Sequence, residues 1–139
     1  MNILIVDDNA ANCYLLASLL QGAGHTVTDA ANGQEALETL AETGPGFFDL
    51  VLMDIQMPVM DGLTATRRIR GWPRFDRLPI VAMTAHALAH EKLIGAAAGM
   101  NDHMIKPFDP EDFYRVLAKW LPACKKARPA SALAAPEPA

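Results

Sequence analysis

Short apolar runs alternate with helical patterns five times along the chain. The first run is Ile3-Leu4-Ile5-Val6, and a weaker second one covers Val27 to Ala30, with polar residues interleaved from His25. Leu50-Val51-Leu52-Met53 is the third, Ile80-Val81-Ala82-Met83 the fourth and His103-Met104-Ile105 the fifth. A strand covered on both faces has no polar side, so its apolar residues run continuously, whereas alternation marks a wetter or edge strand. The pattern therefore predicts central strands for the first, third and fourth runs, and edge strands for the second and fifth.

The intervening segments carry helix signals. Asn32-Gly33-Gln34-Glu35 reads as an N-cap with Glu at the capping-box position. Asp61 reads as the cap of a third helix, and Asp109 before Pro110 as a cap followed by proline at the first helical position. Phe113, Val116, Leu117, Trp120 and Leu121 then form one apolar helical stripe. Gly22 and Gly24 are suited to end the first helix, and Gly99 the fourth. Alternating β and α units predict a parallel sheet with right-handed crossovers and helices on both faces. After Leu121 the composition changes: residues 122–139 hold seven Ala and four Pro among eighteen. Such a segment has little to bury and reads as a tail or linker, its Lys125, Lys126 and Arg128 as solvated charge. The folded domain is expected over residues 1–121.

Composition narrows the class. A chain of 139 residues, 51% hydrophobic, has the material for one core. The net charge of −4, with no dense Lys/Arg run discerned in the folded part, argues against nucleic acid as the primary partner. No apolar run approaches the ~18 residues of a membrane span. Asp7 and Asp8 interrupt the first apolar run too early for a signal peptide, so the cytoplasm is the expected compartment. Cys13 and Cys124 belong to no CxxC pair and read as a packing and an incidental cysteine. His86 and His90 have i, i+4 spacing but no HExxH context, and read as a solvated helix face. Met53, Met57 and Met60 read as packing.

The chemistry stands at the ends of the runs. Asp7 and Asp8 follow the first, Asp54 the third, Thr84 the fourth and Lys106 the fifth. In a parallel α/β sheet these ends open onto one edge, where ligands bind. Three carboxylates, a hydroxyl and an ammonium are thereby brought to one pocket. The carboxylates repel one another, and a hard divalent cation such as Mg²⁺ takes oxygen ligands of this kind. The set suits phosphoryl transfer, which asks mainly for positioning and charge stabilisation, with an Asp oxygen as nucleophile.

The paired Asp7-Asp8, the stretch Leu52 to Gly62 (Leu-Met-Asp-Ile-Gln-Met-Pro-Val-Met-Asp-Gly), Met83-Thr84-Ala85 and Lys106-Pro107 resemble response-regulator receiver domains. The resemblance covers residues 1 to about 121 and implies a flavodoxin-like (βα)5 fold with strands in the order 2-1-3-4-5. It further implies Asp54 as phosphoacceptor and Asp8 as a direct Mg²⁺ ligand, Mn²⁺ being an acceptable substitute. Asp7 would act through a metal-bound water, and the Gln56 backbone carbonyl would add a ligand. Thr84 and Lys106 would contact the phosphoryl oxygens, beside the small Ala85. A cis Lys106–Pro107 bond is implied as well. The sequence departs from the family's usual Tyr or Phe at His103, the rotameric partner of Thr84, which bears on the coupling to surface shape. Gln56 and His86 flank the path of an attacking water and would tune dephosphorylation.

The partner implied is a histidine kinase or a histidine phosphotransfer protein, with the chain a monomer when unphosphorylated. It would catalyse only its own phosphorylation and dephosphorylation. A phosphohydrolase of the haloacid-dehalogenase type would carry its nucleophile in a DxD after the first strand, which this chain lacks. The alternative from another class is a docking module that works without phosphorylation. The run Thr84-Ala85-His86-Ala87 resembles hybrid-kinase receivers.

Overall fold

The computed structural model describes residues 1–55, 57, 59–84, 89–105 and 110–120. Strands β1 (Asn2–Val6), β2 (Thr26–Ala30), β3 (Leu50–Asp54), β4 (Ile80–Thr84) and β5 (Asp102–Ile105) alternate with helices α1 (Ala10–Gly22), α2 (Gly33–Thr43), α3 (Gly62–Arg70), α4 (Ala89–Ala98) and α5 (Pro110–Trp120). A single 3₁₀ turn, Pro73–Phe75, follows α3. All strand pairs are parallel and the order is β2-β1-β3-β4-β5, as expected. The three continuous apolar runs are the three central strands. β3 and β4 are buried at every residue, while β2 and β5 stay partly wet. Asp54 and Thr84 are themselves the last strand residues rather than the first loop residues.

The two-residue period of a strand divides each central run between two cores. Leu4, Val6, Val51, Met53, Ile80 and Ala82 meet Ala36, Leu40, Ala65 and Ile69 of α2 and α3. Ile3, Ile5, Leu50, Leu52, Val81 and Met83 meet Leu16 and Leu20 of α1 and Phe113, Val116 and Leu117 of α5. Chain direction across the sheet reverses between β1 and β3, which opens a crevice at their carboxyl ends.

Helix ends follow their local chemistry. Asn32 accepts from the Glu35 N–H at 2.9 Å, and the Glu35 carboxylate accepts from the Ala31 N–H at 3.1 Å, one residue before the usual box partner. Asp61 accepts from the Thr64 N–H at 2.7 Å; such a cap contributes about 1 kcal/mol. Gly22 does not end α1 by itself: Ala23 is the capping residue, and Gly24 takes the positive φ of 91°. Among the described residues no helix is long and apolar enough to cross a membrane. Leu121, Cys124 and the expected tail over 122–139 lie outside the described residues, as does the Asp109 cap.

The end of α5 is latched to the start of β5. Asp102 Oδ2 accepts from Trp120 Nε1 at 2.9 Å and pairs with Lys119 Nζ at 3.4 Å, while Oδ1 accepts from the His103 N–H at 2.9 Å. Burial by itself would raise the Asp102 carboxyl, but the Trp120 indole, the His103 amide and Lys119 outweigh it and hold its pKa below the ordinary value. A depressed carboxyl contributes stability that is present above the unfolded value of about 3.9 and is lost as pH falls through the folded pKa. Asp102→Asn should therefore lower the denaturation midpoint at pH 7, and the gap to the parent should close below the unfolded value. A gap that persists unchanged into acid would show that the latch acts by shape rather than by charge.

Candidate functional site

The site is built at the carboxyl ends of β1, β3 and β4. β1 ends at Val6; the Asp7 N–H still donates to the Ala30 carbonyl of β2 at 3.0 Å, and Asp7 is 2% exposed while Asp8 is open to solvent. Asp54 closes β3 with 6% exposure, and Thr84 closes β4 with 7%. Carboxylate oxygens of Asp7, Asp8 and Asp54 all lie within 4.8 Å of one another. Residues 46 positions apart in sequence are thus one cluster. Two unit charges at that separation repel by roughly 3–4 kcal/mol at an effective dielectric of about 20. A hard divalent cation converts that repulsion into ligation by oxygen.

Asp7 is fixed from the α1 side. Its Oδ1 accepts from the Asn9 N–H at 2.9 Å, its Oδ2 from Asn12 Nδ2 at 3.4 Å, and its carbonyl oxygen from Cys13 Sγ at 3.5 Å. Asn9 in turn caps α1, accepting from the N–H groups of Ala11 and Asn12. The cap of α1 and the orientation of Asp7 are therefore one unit. Asn9 is a site residue missing from the expectations above, although an N-cap type between an acidic pair and a helical run is the signal that marks it.

The loop after β3 is pinned on both sides. The Gly62 N–H donates to the Ile55 carbonyl at 3.0 Å, and the Gly33 N–H to that of Met60 at 3.0 Å. A Cβ at Gly62 would stand 2.1 Å from the Asp54 carbonyl oxygen, so only glycine lets α3 start this close to the acceptor candidate. In the same loop Val59 has φ 69° and is 81% exposed. A β-branched residue in the left-handed region is an outlier that costs on the order of 1–3 kcal/mol. Neither feature was anticipated from the sequence.

On the far side of the sheet, Thr84 pairs with Ile105, and His103 pairs with Ala82. His103 thus lies on the same sheet face as Thr84, one alternation earlier. Its Nδ1 is 3.8 Å from Asp102 Oδ1. Of the site residues expected from sequence, the structure brings together Asp7, Asp8 and Asp54, and it puts Thr84 and His103 on the neighbouring strands. Gln56, Ala85, His86, Lys106 and the Lys106–Pro107 bond lie outside the described residues.

Comparison with known proteins follows the same line. Residues 3–118 match the response regulator receiver domain family. The sensor histidine kinase GacS of Pseudomonas protegens is 45% identical over 121 residues, which is 85% of this chain and 13% of that protein. This chain therefore spans only a small part of the kinase it matches. The receiver domain of sensor histidine kinase PA1611 from Pseudomonas aeruginosa, solved with magnesium in its active-site cleft, is 39% identical with a TM-score of 0.76, covering 86% of this chain and 95% of that one. The receiver domain of Saccharomyces cerevisiae Ssk1, solved with the histidine phosphotransfer protein Ypd1, is 31% identical with a TM-score of 0.79, covering 86% and 88%. With its sheet order, its acidic crevice and this match over most of its length, the chain belongs to the response-regulator receiver domains, the phosphoacceptor modules of two-component signalling.

Proposed function

We propose that Asp54 is the phosphoacceptor and that the reaction depends on Mg²⁺, with Mn²⁺ as a workable substitute. The observation that carries this reading is the mutual approach of the Asp7, Asp8 and Asp54 carboxylates to within 4.8 Å. Asp8 ligates the ion directly, a role its exposure to solvent supports. Asp7, already holding Asn9 and Asn12, is suited to act through a metal-bound water. Asp54 and the carbonyl of Gln56 complete the protein's share of the ligands. The magnesium bound in the active-site cleft of the similar Pseudomonas receiver supports Mg²⁺ as the ion.

A carboxylate oxygen of Asp54 attacks phosphorus, the bond from phosphorus to the donor's imidazole nitrogen breaks, and an acyl phosphate forms. Thr84 and Lys106 hold the phosphoryl oxygens, and the cation offsets the charge that gathers on them. His103 then reports the state of Thr84 to the surface. Hydrolysis by a water that Gln56 and His86 flank resets the module, so its catalysis is confined to its own phosphorylation and dephosphorylation. The donor class is a histidine kinase or histidine phosphotransfer protein in the cytoplasm, a reading supported by the Ssk1–Ypd1 complex. We assign residues 1–121 to the module, a monomer when unphosphorylated, and 122–139 to an Ala/Pro-rich tail or linker.

Acetyl phosphate with Mg²⁺ should add one phosphoryl group to the intact chain, located on Asp54 by peptide mass analysis, and EDTA should prevent it. No gain in mass under these conditions would leave a docking module that works without phosphorylation.

A further inference from the structure

The net charge of −4 conceals a local excess of the opposite sign. Arg67, Arg68, Arg70, Arg74 and Arg77 are five of the chain's seven arginines, and they fall within eleven consecutive residues containing one acid, Asp76. This corrects the reading that the folded part carries no dense basic run. Arg70 is committed to the fold, donating to the carbonyls of Gly99 and Phe75 and to Asn101 Oδ1. The other four are exposed, and among the described residues none has a salt-bridge partner. Arg74 is held in place by two rings, its guanidinium 5.4 Å from the Trp72 centroid and 5.3 Å from that of Phe75.

Next to this segment is a cavity of about 210 Å³. Leu40, Phe48, Phe75 and Leu78, all buried, are its apolar lining, and Arg74 and Arg77 line it as well. Asp49 also lines it, with Oδ2 engaged by the Asn2 N–H at 2.8 Å. Asp49 and Pro79 precede β3 and β4, so the cavity opens at the opposite sheet edge from Asp54 and Thr84. Five strand residues separate the two edges, roughly 16 Å.

We propose that this cavity and its arginines bind an acidic segment of a partner protein, which inserts one aromatic or aliphatic side chain into the cavity. A volume of 210 Å³ falls below the ~300–1,000 Å³ of small-molecule pockets and suits a single side chain. Carboxylates on either side of that anchor match the planar guanidinium fork, which donates to them bidentately. Stacking of Arg74 orders its fork before the partner arrives, which reduces the entropy lost on binding. A nucleic acid is the weaker match, since its bases need open aromatic faces to stack on and Arg74 already lies over Trp72 and Phe75. Docking here leaves the acceptor edge free, so this surface is independent of the phosphoryl chemistry.

The test titrates the full chain, at low salt, with the peptide Ac-EDEFEDE-NH2 and with its counterpart carrying alanine for phenylalanine, read by amide NMR. The expected result is saturable shifts at and around Leu40, Phe48, Phe75 and Leu78, weakening as salt is raised. Binding should fall by about 10-fold or more for the alanine peptide and for the double variant R74E/R77E. That variant changes two exposed residues and should still accept a phosphoryl group from acetyl phosphate. Absence of saturable shifts, equal binding by R74E/R77E, or tighter binding of oligouridylate than of the peptide at these residues would each overturn the proposal.

Discussion

Asp54→Asn is expected to abolish phosphorylation by acetyl phosphate and to weaken Mg²⁺ binding, without lowering the stability of the metal-free protein. The amide has no anionic oxygen to attack phosphorus, and it is a poorer ligand for a hard cation. Losing the metal-free protein's stability would be the ordinary result of changing a residue that is 6% exposed. Here the change also removes one of three carboxylates packed within 4.8 Å. Like charges this close repel one another, so removing one offsets part of what the substitution loses in packing and hydrogen bonding. Denaturant midpoints of the parent and variant, each with and without Mg²⁺, check both parts. The parent should gain more from the ion than the variant does. A marked fall in the variant's metal-free midpoint would mean that hydrogen bonding at Asp54, not repulsion, dominates the unliganded site.

A second large effect is expected at Gly62, where two principles predict opposite signs. By helix propensity alone, Gly→Ala in a helix stabilises by up to ~1 kcal/mol. At Gly62 the new methyl would meet the Asp54 carbonyl oxygen at 2.1 Å and both the Asp54 carbonyl carbon and Met53 Cγ at 2.9 Å. Two of those atoms are backbone, so relief requires moving the last residue of β3 or the start of α3. Gly62→Ala should therefore destabilise by about 1–3 kcal/mol, the usual range for overpacking. It should also slow phosphorylation, since a displacement of ~1 Å at a reacting group can cost 10²-fold. Gly22→Ala is the contrast: a Cβ there meets nothing within 4 Å, and this variant should be neutral or slightly more stable. Thermal melts of the two variants, with the rate of mass gain from acetyl phosphate, separate the effects. A stabilised Gly62→Ala would show that the contact yields cheaply.

The strands and their burial were legible because a central parallel strand must be apolar on both faces, and Leu50–Met53 and Ile80–Met83 satisfy this within a few residues. The edges were legible for the converse reason, from the polar residues threaded through β2. Helix starts at Asn32 and Asp61 were readable because a cap is made by neighbours three residues away. The candidate site was legible only in its residue types and order. Aspartates after the first and third runs imply convergence once a parallel sheet is assumed, and the resemblance supplied their roles.

Arg70 shows the limit of local reading. In sequence it is one arginine among several on a helix, with nothing to set it apart from Arg67 or Arg68. In the structure its guanidinium reaches the Gly99 carbonyl at 2.9 Å and Asn101 Oδ1 at 2.7 Å, and Asn101 also accepts from the Ile80 N–H. The end of α3 is thereby tied to the turn before β5 across some thirty residues of chain. The same holds for the bound on Gly62, for the left-handed backbone of Val59 and for the cavity beside Arg74 and Arg77. By itself the sequence determined the element types, the helix starts at Asn32 and Asp61 and which strands lie inside, because period, capping and continuous apolarity are properties of neighbouring residues. Only the tertiary structure decided the 4.8 Å gathering of Asp7, Asp8 and Asp54 and the close approach of α3 to β3. Those distances depend on strand register and helix packing, which are fixed by contacts between residues far apart in the chain.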